Sequence, residues 1–141
     1  MAAVSGALRA FRHPRLWVGV WGVLMVAVVV VCLGPPPEIP ELPRNSDKAE
    51  HFLTYFGLAF WAVQLFATRR ALLWAGFGLV LLGVGIEFAQ GAFTVDRSAD
   101  PFDALANTLG VVAGLSFART PAREWLSRFD RRVFGGRTAD S

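Results

Sequence analysis

The chain has one cysteine, few charges, and none of the short motifs that carry soluble phosphate, acyl-transfer or redox chemistry. A lone Cys32 excludes an intrachain disulfide framework and a thiol metal site. It is a poor lipid-attachment site too, because Val31 stands before it where a small residue is needed, and prolines follow. There is no glycine-rich phosphate loop after a strand pattern, no Gly-x-Ser-x-Gly elbow and no two-cysteine motif. Charged residues make up 18% of the chain and apolar residues 54%, with a mean hydropathy of +0.44. Soluble domains run nearer about 25% charged and about 45–50% apolar. The shortage of charge therefore argues against an ordinary soluble domain and for a membrane protein.

What is present is a series of long apolar runs. Leu16 to Leu33 is uncharged over its whole length; at about 1.5 Å per residue it spans roughly 27 Å, close to a bilayer core. A cleaved signal peptide is the competing reading, but the run exceeds a usual apolar region and no small-residue cleavage site precedes the prolines. Gly34 to Pro40 cannot continue a helix and opens a loop to about Arg44. His51 to Ala67 is the second run, with Thr68, Arg69 and Arg70 as a tight turn. Ala71 to Ala89 is the third, glycine-rich, with Glu87 and Gln90 at its far end, and Gly91 to Ala99 reads as a loop. Pro101 to Ala118 is the fourth. Its small residues Ala106, Gly110, Gly114 and Ala118 recur every four positions, a pattern that lets helices approach closely, within this bundle in preference to a dimer.

The tail is too polar to span. Thr120 and Pro121 suit an N-cap and first helical position, predicting a helix over 121–134. Trp125, Leu126, Phe129, Val133 and Phe134 would share an apolar face opposite Arg123, Glu124, Asp130 and Arg131, lying on the membrane surface. The expected fold is an all-α integral membrane protein: a four-transmembrane-helix bundle plus a short C-terminal interfacial amphipathic helix. Its divisions are a cytoplasmic lead over 1–15, a membrane domain over 16–118 with spans at about 16–33, 51–67, 71–89 and 101–118, and a basic amphipathic tail over 119–141. Eleven of the fourteen Lys and Arg residues fall on the side of the termini, leaving Arg44, Lys48 and Arg97 on the other. The positive-inside rule makes both termini cytoplasmic. The arginine-rich tail interleaves Trp and Phe, which favours anionic lipid over nucleic acid.

This topology gathers the polar residues. Asp47, Lys48 and His51 stand at the outer start of the second run, Glu87 and Gln90 at the outer end of the third. Arg97, Asp100, Asp103 and Asn107 open the fourth. Asp100, Asp103 and Asn107 fall within roughly 60° of one another on a helix. Asp47, His51 and Tyr55 step by four. A carboxylate within a span costs about 2.5–3.5 kcal/mol on insertion scales, so it faces the bundle interior and finds a partner. Three helix ends are thus expected to converge on one polar pocket at the outer boundary. Asp100 before Pro101 suits a helix cap, as does Asp47 with Glu50 on the second helix.

The motifs SDKAEHFLTYFGLAF, GIEFAQ and DRSADPFDALANTLGVVAG occur in that order over about residues 46–115. In this they resemble the VanZ-like family of small bacterial membrane proteins. The resemblance rests on Asp47, Lys48, His51 and Phe52; Glu87 and Gln90; and Arg97, Asp103, Asn107 and Gly110. It implies a multi-pass protein of the bacterial cytoplasmic (inner) membrane facing the envelope, in a family named after a teicoplanin-resistance-associated protein. It implies no agreed reaction, so the residues leave three readings open. In the first, the pocket binds a charged amphiphile or lipid-linked cell-wall precursor through Lys48, Arg97, Gln90, Asn107 and Asp47, with a link to glycopeptide resistance or envelope maintenance. In the second, Glu87, His51 and Asp103 are catalytic, either holding a divalent metal that activates water against a lipid-linked substrate or acting as acid and base. In the third, the polar cluster only fixes helix packing through Lys48 and Arg97. Transport by this chain alone is disfavoured, because acids appear near the outer face and none in the cytoplasmic half of a span.

Overall fold

A computed structural model describes residues 6–35, 46–95 and 98–135. The loop beyond Pro35, Arg44, Arg97 and the tail after Gly135 lie outside the described residues. The described chain is helical. Helix α1 (Pro14–Leu33) starts on a proline at its first position and ends at Gly34, whose extended backbone turns its N–H onto the Val30 carbonyl at 2.9 Å. Helix α2 (Ser46–Leu65) follows, then α3 (Arg69–Phe93) and α4 (Pro101–Ser116). Two 3-10 turns, Phe117–Arg119 and Pro121–Glu124, lead into α5 (Trp125–Phe134).

Three segments are long and apolar enough to cross a membrane: Pro14–Leu33, Arg69–Phe93 and Pro101–Arg119, with mean hydropathies of 2.7, 2.0 and 1.2. Their apolar side chains point outward in quantity. No residue of α1 is buried, and Phe88 on α3 and Val112 on α4 are more than 60% exposed. Such a surface is compatible with a multi-pass membrane protein. Ser46–Leu65 does not join the three by hydropathy, since it carries Asp47, Lys48, Glu50, His51 and Gln64. It is instead the helix most enclosed by the others, with Tyr55, Leu58, Ala59, Ala62, Val63 and Leu65 buried.

Local chemistry sets the helix ends. Thr68 caps α3 through its Oγ1, which accepts from Ala71 N–H at 3.2 Å, so Arg69 and Arg70 are helical where a turn was expected. The same helix runs to Phe93, absorbing the start of the expected 91–99 loop. Asp100 caps α4 as expected, accepting from Phe102 N–H at 2.8 Å ahead of Pro101. Asp47 does not cap; it lies within the first turn of α2.

The main packing contact is between α2 and α4. Gly110 and Gly114 lie against the backbone of α2: a Cβ on Gly110 would clash with the Phe52 carbonyl oxygen, and one on Gly114 would lie 2.6 Å from the Phe56 carbonyl oxygen. The small-residue stripe of α4 therefore serves contact inside the chain at these two positions. Gly83 on α3 plays a related part, since a Cβ there would press on Asn107 and Tyr55 at 3.1–3.3 Å.

The N- and C-terminal segments close the other end. Arg9 N–H donates to the Leu65 carbonyl and Ala67 N–H to the Ala7 carbonyl, both at 2.8 Å. Gln64, buried, donates to the Ala122 carbonyl at 2.9 Å and accepts from Leu126 N–H at 3.1 Å, tying α2 to the start of α5. The tail departs from expectation in two ways. Thr120 does not cap through its side chain; its hydroxyl donates back to Phe117 at 2.9 Å, and residues 121–124 form a 3-10 turn before α5. Asp130, expected on a solvated polar face, is fully buried. It accepts from Arg12 N–H at 2.5 Å and Trp17 Nε1–H at 2.8 Å, with His13 Nδ1 at 4.0 Å. The carboxylate was misplaced because its partners lie more than a hundred residues away. Burial opposes its charge, but the Arg12 and Trp17 bonds outweigh burial and hold its pKa below the ordinary Asp value.

Two expected outcomes follow from this packing. Gly110→Ala lowers the thermal midpoint in detergent by the equivalent of about 1–3 kcal/mol, the usual cost of overpacking. Gly85→Ala, where nothing lies within 4 Å of the added carbon, leaves the midpoint unchanged or raises it through helix propensity. Because the pKa of Asp130 is depressed by folding, its contribution is fully present above the unfolded value of about 3.9 and disappears as the pH falls through the lower folded value. Wild-type stability should therefore drop more steeply below about pH 4 than that of Asp130→Asn, which is less stable at pH 6 and flatter in acid.

Candidate functional site

At the end of the bundle where α2 and α4 begin and α3 finishes, three helices each contribute an ionisable side chain. His51 comes from the second turn of α2, Glu87 from the last two turns of α3, and Asp103 from the first turn of α4. One donor atom from each lies within 4.8 Å of the other two. His51 Nε2 is 3.7 Å from Asp103 Oδ2, and its Nδ1 is 4.0 Å from Glu87 Oε1. Glu87 and Asp103 are buried and His51 is nearly so, with 14% of its side chain exposed.

Each of the three is held from behind. Asp103 Oδ1 accepts from Lys48 Nζ at 2.8 Å, and Glu87 Oε2 accepts from the Asp100 N–H at 3.2 Å. His51 Nδ1 lies 3.0 Å from Asn107 Oδ1, a carbonyl that can take the Nδ1 proton and fix the ring. Lys48 also donates to Asp100 at 2.7 Å and to the exposed Asp47 at 3.4 Å. The Lys48 ammonium, helped by the Phe102 N–H, keeps the Asp100 carboxyl below the ordinary Asp value. Asp100 thus both caps α4 and anchors the lysine.

The sequence-predicted residues separate into groups. His51, Glu87, Asp103, Asn107, Lys48 and Asp100 form one connected cluster. Gln90 does not donate into it; its amide donates to the Cys32 carbonyl at 2.9 Å and fastens the end of α1 to α3. Asp47 sits at the exposed edge, and Arg97 lies outside the described residues. Tyr55 carries no site role in the sequence reading, yet it is 1% exposed and one turn below His51. Its place in the Asp47–His51–Tyr55 step of four is the signal that could have found it. Among the described residues, four buried side-chain polar atoms have no hydrogen-bond partner: Tyr55 OH, Glu87 Oε1 and Asn107 Nδ2 at or next to this end, and Trp61 Nε1 further along α2. Orphaned buried polar atoms are rare, and three of the four belong to residues of this cluster or the turn below it.

Two cavities frame the bundle. An apolar groove of about 430 Å³ runs between α1 and α2, lined on one wall from Leu24 to Cys32 and on the other by Leu53, Thr54, Gly57 and Leu58. Its Leu53, Thr54 and Cys32 end reaches the level of the polar cluster, since Leu53 and Thr54 lie within a turn of His51 along α2, while its lining is made by other side chains than those of the cluster. At the far end of the bundle Arg9, Arg69, Arg119 and Arg123 surround a cavity of about 540 Å³ with Leu72 and Leu115 in its wall. No protein family, curated protein or solved structure matches this chain.

Lys48 is expected to matter as the shared cation of the cluster. Lys48→Ala should lower the detergent thermal midpoint measurably, whereas Asp47→Asn, which removes only an exposed pair, should leave it within error. Adding Asp103→Asn to Lys48→Ala should restore part of the loss, and the double-mutant cycle reads the coupling directly.

Proposed function

We propose that this chain is a VanZ-like integral membrane protein whose outer polar pocket binds the headgroup of a charged amphiphile, such as a lipid-linked envelope precursor. The apolar chain of that amphiphile would lie in the groove between α1 and α2. The observation that carries this reading is the placement of the two features: a three-helix polar cluster and an apolar groove that reaches the same end of the bundle. A polar pocket alone would suit a soluble ion, and an apolar groove alone would suit any acyl chain; together, they match a molecule with both parts.

The membrane placement we propose has four spans and cytoplasmic termini. Helix α2 becomes the fourth span because its charges cluster at the 47–51 end and its enclosed middle needs no lipid-grade hydropathy. The arginine-lined cavity at the other end then faces the anionic inner leaflet, in keeping with the positive-inside bias of the sequence. The polar cluster would lie at the outer boundary of the bacterial cytoplasmic membrane.

Gly57 offers a clean test, since it lines the groove and nothing lies within 4 Å of a carbon added there. Native mass spectrometry of the detergent-purified wild type is expected to show a retained amphiphile. Gly57→Phe should keep the thermal midpoint and lose the bound species. A wild type that retains no lipid, or a Gly57→Phe protein that retains as much as wild type, would count against the proposal.

A further inference from the structure

The charge balance of the cluster is wrong for direct capture of a phosphate. Glu87, Asp100, Asp103 and Asp47 meet a single described lysine, and that lysine is already bonded to three of them. Two carboxylates with one histidine, largely out of water, repel one another unless a proton or a cation joins them. The side-chain arrangement favours a cation. Asp103 has one oxygen on Lys48 and the other toward His51; Glu87 has one oxygen on a backbone N–H and the other with no hydrogen-bond partner among the described residues. Donation of His51 Nδ1–H to Asn107 leaves the Nε2 lone pair on the Asp103 side. The three groups are thus pinned from behind with donor atoms left inward, which is how outer partners orient metal ligands.

We infer that His51, Glu87 and Asp103 hold one divalent transition-metal cation, which receives the anionic headgroup in the pocket described above. One imidazole and two carboxylates suit Zn2+ or Mn2+ and exclude the thiolate-seeking ions. With metal–ligand bonds of about 2.1 Å, neighbouring ligand atoms of a tetrahedral site lie roughly 3.4 Å apart. The 3.7 Å between His51 Nε2 and Asp103 Oδ2 is near that already. The remaining separations of the set lie within 4.8 Å, so the ligand atoms close by up to about 1.4 Å to take an ion. Three protein ligands leave a coordination position for a phosphate oxygen. The partnerless hydroxyl of Tyr55 and amide of Asn107 lie in the same region and can donate to that oxygen or to a metal-bound water. The ion site rests on this geometry; only its role in receiving a headgroup rests on the amphiphile reading.

Metal uptake is measured on full-length, chelator-treated protein freed of lipid by detergent exchange, so the result does not depend on whether an amphiphile binds. Titration with Zn2+ and with Mn2+ is expected to give one ion per chain. Glu87→Gln and Asp103→Asn should weaken binding by at least tenfold, and Glu50→Gln, an exposed carboxylate next to His51 on α2, should not. Stoichiometric binding unchanged in Glu87→Gln, or no binding by wild type, overturns the site. Should the substituted proteins fail to fold, pulsed electron paramagnetic resonance of Mn2+-loaded wild type and His13→Ala decides: both should show one coupled imidazole nitrogen. A signal that is absent, or lost with His13, overturns the proposal. With the ion present, chelation should release the bound amphiphile seen by native mass spectrometry, and its retention after chelation overturns the headgroup role alone.

Discussion

The close crossing of α4 over α2 is the constraint on which the polar end depends. At Gly110 and Gly114 the two helices touch through backbone, with no side chain between them on the α4 side. Helix registry then does the rest. His51 precedes Phe52, whose carbonyl receives the glycine, while Asn107 and Asp103 lie one and two turns before Gly110 on the same face of α4. The crossing therefore sets the 3.0 Å and 3.7 Å separations that join His51 to Asn107 and Asp103. A methyl group would not merely loosen the packing; it would move the ligands apart. Gly83 extends the same logic to α3, because room for Asn107 and Tyr55 is room for Glu87's helix to come near.

Polar side chains complete the frame by bonding to the backbone of neighbouring elements. Gln90 takes the Cys32 carbonyl in the last turn of α1, and Gln64 accepts from Leu126 N–H in the first turn of α5, both open at helix ends. Gln64 and Trp21 also donate to the Ala122 and Leu58 carbonyls, the latter at 3.0 Å. An unsatisfied backbone group in hydrocarbon costs several kcal/mol, so the bonds to Cys32 and Leu126 are structural requirements in the proposed setting. Asp130 does comparable work between the two termini, holding Arg12 and Trp17 against α5. The polar residues therefore divide. Those bonded to backbone groups of other helices fasten the bundle, while three of the four buried atoms left open, on Tyr55, Glu87 and Asn107, belong to the His51 end.

The sequence made the helical architecture and the gathering of polar residues legible for one reason. Apolar runs of bilayer length fix depth, and depth alone brings 47–51, 87–90 and 100–107 to one end. It could not assign partners within that end. Lys48 reads equally well as a phosphate contact, yet its distance to Asp100 and Asp103 makes it an internal counter-ion. Gln90, three residues beyond Glu87, is offset by about 60° around α3 and about 4.5 Å along it, and its amide reaches the Cys32 carbonyl of α1. Asp130 escaped because its i−2, i+1 and i+2 neighbours, Arg128, Arg131 and Arg132, are arginines on an amphipathic helix, a pattern that reads as solvated until Trp17 is folded onto it. The pattern fixes which face a residue occupies only when a single surface competes for it.

The same charge arithmetic decides what the pocket can accept. A pocket that already uses its described lysine to balance Asp100 and Asp103 has an excess of negative charge around Glu87 and His51. An anionic headgroup entering unaided would meet repulsion where screening is weakest. A protonated His51 would offset one charge and still leave Glu87 Oε1 without a hydrogen-bond donor among the described residues. A divalent cation, as proposed above, would offset the excess, take the open oxygen and present a positive face to a phosphate in one step. The features that look like defects in a purely structural network, an orphaned carboxylate oxygen beside an orphaned amide, are then the features that a ligand-bearing site needs.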